Sequence, residues 1–179
     1  MRRSPIRASI SSVTHRPDRP PVQPRVAAVL VVLLAGLLAG CGPAANRSDD
    51  ANALGSVSDH LDDSSSAVAT AQLAVRSSAA GRLPAVTADV AVGDAAETAT
   101  GAVHGIGTVV LSSADAAQVR DDALDAASAA VGPVAAARTW LGRPSSSADE
   151  VLRALDDAAA ALDEANGAVR HVQWARTAP

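Results

Sequence analysis

Apolar residues in the last two-thirds of the chain recur in steps of three and four, the spacing of one face of an α-helix. The pattern is clearest in the fourth such segment. There Ser147 and Glu150 stand three residues apart as a capping-box pair, which predicts a helix from Ser147 to about Trp174. Its apolar stripe comprises Ala148, Val151, Leu155, Ala158, Leu162, Ala165, Val169 and Val172.

Two other segments show the same periodicity. The first has an apolar residue every seven positions and a stop at Gly81, with Pro84 opening the next segment. The third begins at Ser112 or Ser113, both good N-caps, and we expect a kink at Pro133. The first stripe comprises Leu54, Val57, Leu61, Val68, Ala71 and Val75, and the third Leu124, Ala127, Val131, Val134 and Leu141.

The second segment, residues 85–111, is less regular. Its helical stripe is weakened by four glycines, and "VTADVAV" and "GTVVLS" are also compatible with short strands. Gly101 and Gly105 form a G-x-x-x-G pattern, which we interpret as close packing within a bundle. We favour a helix whose stripe comprises Val92, Ala96, Ala99, Val103, Ile106 and Val110.

Four helices of similar length with short links predict an all-α fold, an antiparallel up-down-up-down four-helix bundle over residues 51–179. Alanine supplies 43 of the 179 residues, which favours helix and close helix approach. Alanine also removes little apolar area from water, so we expect marginal stability. We expect Trp140 and Trp174 to close opposite ends of the bundle.

A different pattern precedes the bundle. The run from Val26 to Gly40 has 15 residues without a charge and follows an Arg-rich region. It is short for a membrane-spanning helix, which needs ~20 residues, and it is typical of the apolar part of a secretory signal peptide. Cys41, the single cysteine of the chain, follows at once.

The sequence Leu38-Ala39-Gly40-Cys41 resembles the lipobox of bacterial lipoprotein precursors. The resemblance implies transfer of a diacylglyceryl group to the Cys41 thiol and cleavage before that residue. It implies a signal peptide over 1–40, a lipid on Cys41 and attachment to the extracytoplasmic face of the cell membrane. The alternative is an uncleaved signal anchor in which the Cys41 thiol is buried or free. The segment that follows is polar and contains Gly42, Pro43 and Asn46, so its composition predicts a flexible tether, which together with the lipidated cysteine covers 41–50.

The charge of the chain changes sign after Cys41. Six Arg and one acid precede this residue, whereas nine Arg and 18 acids follow it. An acidic body repels phosphate, so nucleic acid is excluded as a partner. The expected partners are the membrane, through the lipid on Cys41, and a second protein of the cell envelope.

Catalytic and metal-binding patterns are missing from the body. Metal-binding bundles use Glu-x-x-His pairs, and none of His60, His104 and His171 has a glutamate three residues before it. No nucleophile elbow or phosphate-binding glycine loop occurs either. We therefore expect a protein that is not an enzyme and holds no metal or cofactor.

Two function classes remain open. One is an interaction module in which the acids on the outer side of the fourth helix meet a basic partner, although these acids also suit a plain solvated face. The other is a carrier that holds a small apolar ligand between its helices. The candidate partner face comprises Asp156, Asp157, Asp163 and Glu164.

Overall fold

The computed structural model describes residues 43–143 and 147–177, with side chains from residue 49 onward. Within these ranges the chain forms four helices and no strand, so the all-helical prediction is confirmed. The predicted signal peptide and the sequence that resembles a lipobox lie outside the described residues. The helices are α1 (Pro43–Ala79), α2 (Ala85–Thr108), α3 (Ala114–Gly142) and α4 (Ala148–Thr177).

Two helix boundaries agree with local sequence signals, the end of α1 and the start of α4. Gly81 follows α1 with a φ of +65°, and its N–H donates to the Ser78 carbonyl at 2.9 Å. Glycine adopts this left-handed conformation without the steric cost that a side chain would add. At the start of α4 the Ser147 hydroxyl accepts from the Glu150 N–H at 3.2 Å, which is one half of the predicted capping box.

The interior consists mostly of alanine and valine with a few larger side chains. Five of the eight positions in the predicted α4 stripe are buried, and the other three are partly buried against the core. The buried five are Val151, Leu155, Ala158, Leu162 and Val169. The largest fully buried side chains of the described helices are Leu54, Leu61, Ile106, Leu155 and Leu162. Small side chains therefore fill most of the remaining interior.

The helix contacts are those of a bundle. Helix α1 contacts α2, α3 and α4, and α3 also contacts α2 and α4. Several polar side chains join helices that are far apart in the sequence. Ser58 donates to Asn166, and Gln72 donates to Asp156, so positions along α1 are paired with positions along α4.

Three expectations need correction. The segment 41–50 was expected to be a flexible tether, but α1 begins at Pro43 and includes Asp50, because proline is well tolerated in the first turn of a helix. Val110 was expected in the α2 stripe, but α2 ends at Thr108 and Val110 is 87% exposed. The strand alternative for "VTADVAV" and "GTVVLS" is wrong, since residues 86–92 and 107–108 are helical.

Candidate functional site

The four acids of the candidate partner face are all exposed on α4, but they do not share one environment. Asp156 lies against α1, where its Oδ1 accepts from Gln72 Nε2 at 2.8 Å and from Arg76 Nη2 at 3.3 Å. The Asp156 carboxylate therefore contributes to the contact between α1 and α4. The other three members, Asp157, Asp163 and Glu164, have carboxylates that are directed to solvent. Within the described residues, these three make no such contact with another helix.

A polar group that the sequence interpretation missed joins one end of the bundle. Asp50 is 2% exposed, and its carboxylate accepts from the Ser112 N–H at 2.7 Å, the Ser113 hydroxyl at 2.6 Å and Arg176 Nη1 at 3.3 Å. Arg176 also donates to Asp115 at 2.7 Å. We call these five residues, Asp50, Ser112, Ser113, Asp115 and Arg176, the end cluster. It brings together the first turns of α1, the link before α3 and the last turn of α4.

The end cluster favours ionised carboxylates. The Ser113 hydroxyl, followed by the Ser112 N–H, lowers the pKa of Asp50 below its ordinary value of 3.8, and these effects outweigh the opposing effect of burial. The backbone N–H of Asp115 itself and then Arg176 lower the pKa of Asp115. Asp50 lies four residues before Leu54, so it continues the apolar stripe of α1, and this was the signal that could have placed it inside.

A second polar group lies between α1 and α4. Asn166 is 9% exposed; its Oδ1 accepts from Ser58 Oγ at 2.7 Å, and its Nδ2 donates to Asp62 Oδ1 at 2.6 Å. Arg170 Nη2 lies 3.3 Å from Asp62 Oδ2. The group satisfies a buried amide and fixes the register of the two helices. It has the arrangement of a structural contact rather than of a reacting set.

The G-x-x-x-G prediction is half right. A Cβ at Gly105 would collide with the imidazole ring of His60, so this glycine does allow a close contact between α1 and α2, whereas a Cβ at Gly101 would meet nothing within 4 Å. His60 Nδ1 also lies 3.7 Å from Asp63 Oδ2. The His60 ring therefore occupies the space in which a side chain at position 105 would lie.

An open groove of about 330 Å³ lies between α1 and α2. Its lining is made of small and polar residues: Ser66, Ala67, Thr70, Ala91, Asp94, Ala95 and Thr98. Sites for apolar ligands are enclosed and are lined mainly by larger apolar and aromatic side chains. This groove therefore gives no support to the carrier alternative.

The tryptophans differ from the expectation. Trp140 is partly buried against the core, but Trp174 is 69% exposed and does not close an end of the bundle. The α4 stripe passes through Val169 and Val172, which directs the Trp174 side chain outward, two residues before the Arg176 of the end cluster. Val110, two residues before Ser112, is the other large apolar side chain exposed close to this cluster.

His60, His104 and His171 all lie within the described residues. In the ranges 43–143 and 147–177 no group of three or more His, Cys, Asp or Glu side chains is placed to hold a metal ion. Nor is any helix in those ranges long and apolar enough to cross a bilayer. Cys41, Leu38, Ala39 and Gly40 lie outside them.

Comparison of the chain with protein-family models, with curated proteins and with solved structures finds no match.

Proposed function

We propose that the chain is a cell-envelope lipoprotein, held on the extracytoplasmic face of the membrane by a lipid on Cys41, and that its helical bundle is a non-catalytic interaction module. The observation that carries the proposal is the order of three features: an Arg-rich region, the uncharged run Val26–Gly40 and Leu38-Ala39-Gly40-Cys41. Two acyl chains give stable anchoring where one gives only marginal binding, and a diacylglyceryl group supplies two.

Lipidation is tested with Cys41→Ala in bacterial cells that secrete lipoproteins. The wild-type chain takes up labelled palmitate, partitions into the detergent phase and loses residues 1–40. The Cys41→Ala variant does none of these. Ser48→Ala, a similar truncation outside the lipobox, is the matched control and behaves as the wild type. A Cys41→Ala variant that is still cleaved and still partitions into detergent contradicts the proposal.

For the bundle we propose the up-down-up-down arrangement with antiparallel neighbours. Three pairs of residues support its antiparallel α1 and α4: Asp50 with Arg176, Ser58 with Asn166 and Gln72 with Asp156. As the first partner advances along α1, the second retreats along α4. In a Cys41→Ala background, a short bifunctional thiol crosslinker should join cysteines at 72 and 156, and it should not join cysteines at 59 and 156. The reverse result rejects the arrangement.

The interaction surface that we propose is the outer side of α4 around Asp157, Asp163 and Glu164. Negative charge directed to solvent suits a basic protein partner in the envelope. Changing the three acids to Lys should weaken capture of that partner, and the loss should be larger at low salt than at high salt because exposed charges are screened by ions. The control is the pair Asp122→Lys and Asp125→Lys on α3, which also replaces acids with Lys but lies on another helix.

A neutral outcome would reject this surface. If the same proteins are captured with equal yield before and after the charge reversal, at low salt and at high salt, the acids of α4 form a solvated face and the partner binds elsewhere. If the purified protein carries a stoichiometric apolar ligand, the bundle is a carrier and not a protein-binding module.

A further inference from the structure

The two most exposed large apolar side chains near the end cluster are Trp174 and Val110. Trp174 is 69% exposed and stands two residues before Arg176, while Val110 is 87% exposed and stands two residues before Ser112. Both Arg176 and the Ser112 N–H bond to Asp50. The end cluster therefore holds two outward apolar side chains at one end of the bundle.

The same end is joined to the proposed lipid anchor by a short stretch of chain. Asp50 lies seven residues after Pro43, about 10 Å along the axis of α1. Cys41 precedes Pro43 by two residues, which span at most about 7.6 Å. Roughly 20 Å at most then separates the backbone at Cys41 from the end cluster. Because α1 is helical there, the chain cannot carry this end far from the bilayer.

Trp174 has the chemistry that the membrane interface favours. Its indole has an apolar ring and an N–H that hydrogen-bonds to water or headgroups, and tryptophan is enriched at the level of the headgroups for this reason. The surrounding carboxylates of Asp49 and Asp115 are exposed. They do not favour an anionic surface, so the attraction to lipid has to come from the apolar side chains.

We infer that this end of the bundle rests on the lipid bilayer, with Trp174 and Val110 entering the headgroup layer next to the acylated Cys41. The inference depends on the proposed anchoring and goes beyond it, since a lipid on Cys41 alone would leave the orientation of the bundle undetermined. The contact orients the bundle, and the far ends of α1 and α3 are directed away from the membrane.

The two tryptophans allow a test with an internal control. Trp140 stands 27 residues after Ser113, about 40 Å along α3 from the end cluster. The full chain, lipidated in cells and purified, is placed in phosphatidylcholine vesicles with or without bromine near the headgroup end of the acyl chains. Trp140→Leu leaves Trp174 as the fluorophore, and Trp174→Leu leaves Trp140. Circular dichroism verifies that both variants are helical.

We expect bromine to lower Trp174 fluorescence roughly two-fold and to leave Trp140 fluorescence unchanged, because bromine quenches only at short range and Trp174 lies at the headgroup level. Val110→Asp should reduce the quenching of Trp174, whereas Val90→Asp, at an exposed position near the start of α2, should not. If Trp140→Leu does not fold, the quenching of Trp174 is obtained by subtracting the fluorescence of Trp174→Leu from that of the wild type.

The remaining outcomes overturn the inference in distinguishable ways. Protein that sediments with vesicles but shows no quenching at Trp174 leaves the anchor intact and rejects the contact. Equal quenching of both tryptophans rejects the orientation. A Trp174 emission shift that depends on protein concentration and not on bromine shows that a second copy covers this end. Protein that does not sediment with vesicles rejects the anchor and the contact together.

Discussion

Nη1 of Arg176 lies 3.3 Å from Oδ2 of Asp50, and this pair joins the first turns of α1 to the last turn of α4. The side chains are only 12% and 3% exposed. An ion pair shielded from water is costly to break from one side, because the remaining charge loses its partner and regains little hydration. Loss of either partner should therefore weaken the packing of the start of α1 against the end of α4.

Asp50→Ala should lower the free energy of unfolding by about 2–3 kcal/mol, because the Ser112 N–H loses its acceptor and Arg176 loses one of two carboxylates. Arg176 keeps its contact with Asp115, which limits the cost. Urea unfolding followed by circular dichroism measures the change. Asp49→Ala removes an exposed acid at the neighbouring position and should stay within about 0.5 kcal/mol of the wild type. Equal effects of the two substitutions would show that the end cluster contributes nothing specific.

The stability of the wild type should fall at acid pH. The pKa of Asp50 is lowered in the folded state, so its carboxylate stabilises the fold fully above its ordinary value of 3.8, and this contribution is lost as the pH falls through the lower folded pKa. Asp50→Asn has no such proton to bind, so its stability should change less between pH 5 and pH 2, a window of about three units around the ordinary pKa. Parallel curves for the two proteins would be evidence against the assignment.

Gly101 and Gly105 should respond differently to alanine. Gly101→Ala should raise stability by about 0.5–1 kcal/mol, because the new methyl group meets open space and alanine favours helix. Gly105→Ala should gain less or lose stability, since its Cβ would collide with the His60 ring. In a His60→Ala background, Gly105→Ala should recover the gain. The measurement is a double-mutant cycle by thermal unfolding.

Leu162→Ala should cost about 2–5 kcal/mol, the range for a fully buried leucine whose removal leaves a cavity. The alanines of this core have no side-chain rotamers with which to fill the space. Leu73→Ala is the matched control, because Leu73 is 66% exposed, and it should cost less than about 0.5 kcal/mol. A small effect at Leu162 would show that the helices close onto the cavity.

The sequence predicts the helices of this chain better than it predicts their ends and polar contacts. The α4 stripe is read correctly because burial of Val151, Leu155 and Leu162 follows helical periodicity, a local property of the sequence. The turn at Gly81 is also predicted correctly, because it depends on the conformation of one glycine, which is again a local property. Val110 was misassigned because its spacing continues the stripe of α2 after the helix has ended, and spacing alone does not show where a helix stops.

The end cluster could not be predicted from local pattern. Composition suggests that the segment around Asp50 is polar and disordered, whereas its order depends on partners 62 and 126 residues away in the sequence, Ser112 and Arg176. The same holds for Asn166, a polar residue whose burial is acceptable because Ser58 and Asp62 satisfy its amide. On α4, exposure of the four acids follows from periodicity, but the contact of Asp156 with Gln72 and Arg76 depends on how α1 packs.

The many alanines of the core have a consequence for the thermal behaviour of the protein. Apolar surface exposed on unfolding produces most of the heat-capacity increase, typically about 12–15 cal/mol/K per residue in globular proteins. A core built from alanine and valine exposes less apolar surface per residue, so the increase should be smaller here. The curve of stability against temperature is then shallow, and the bundle should lose little of its stability when cooled.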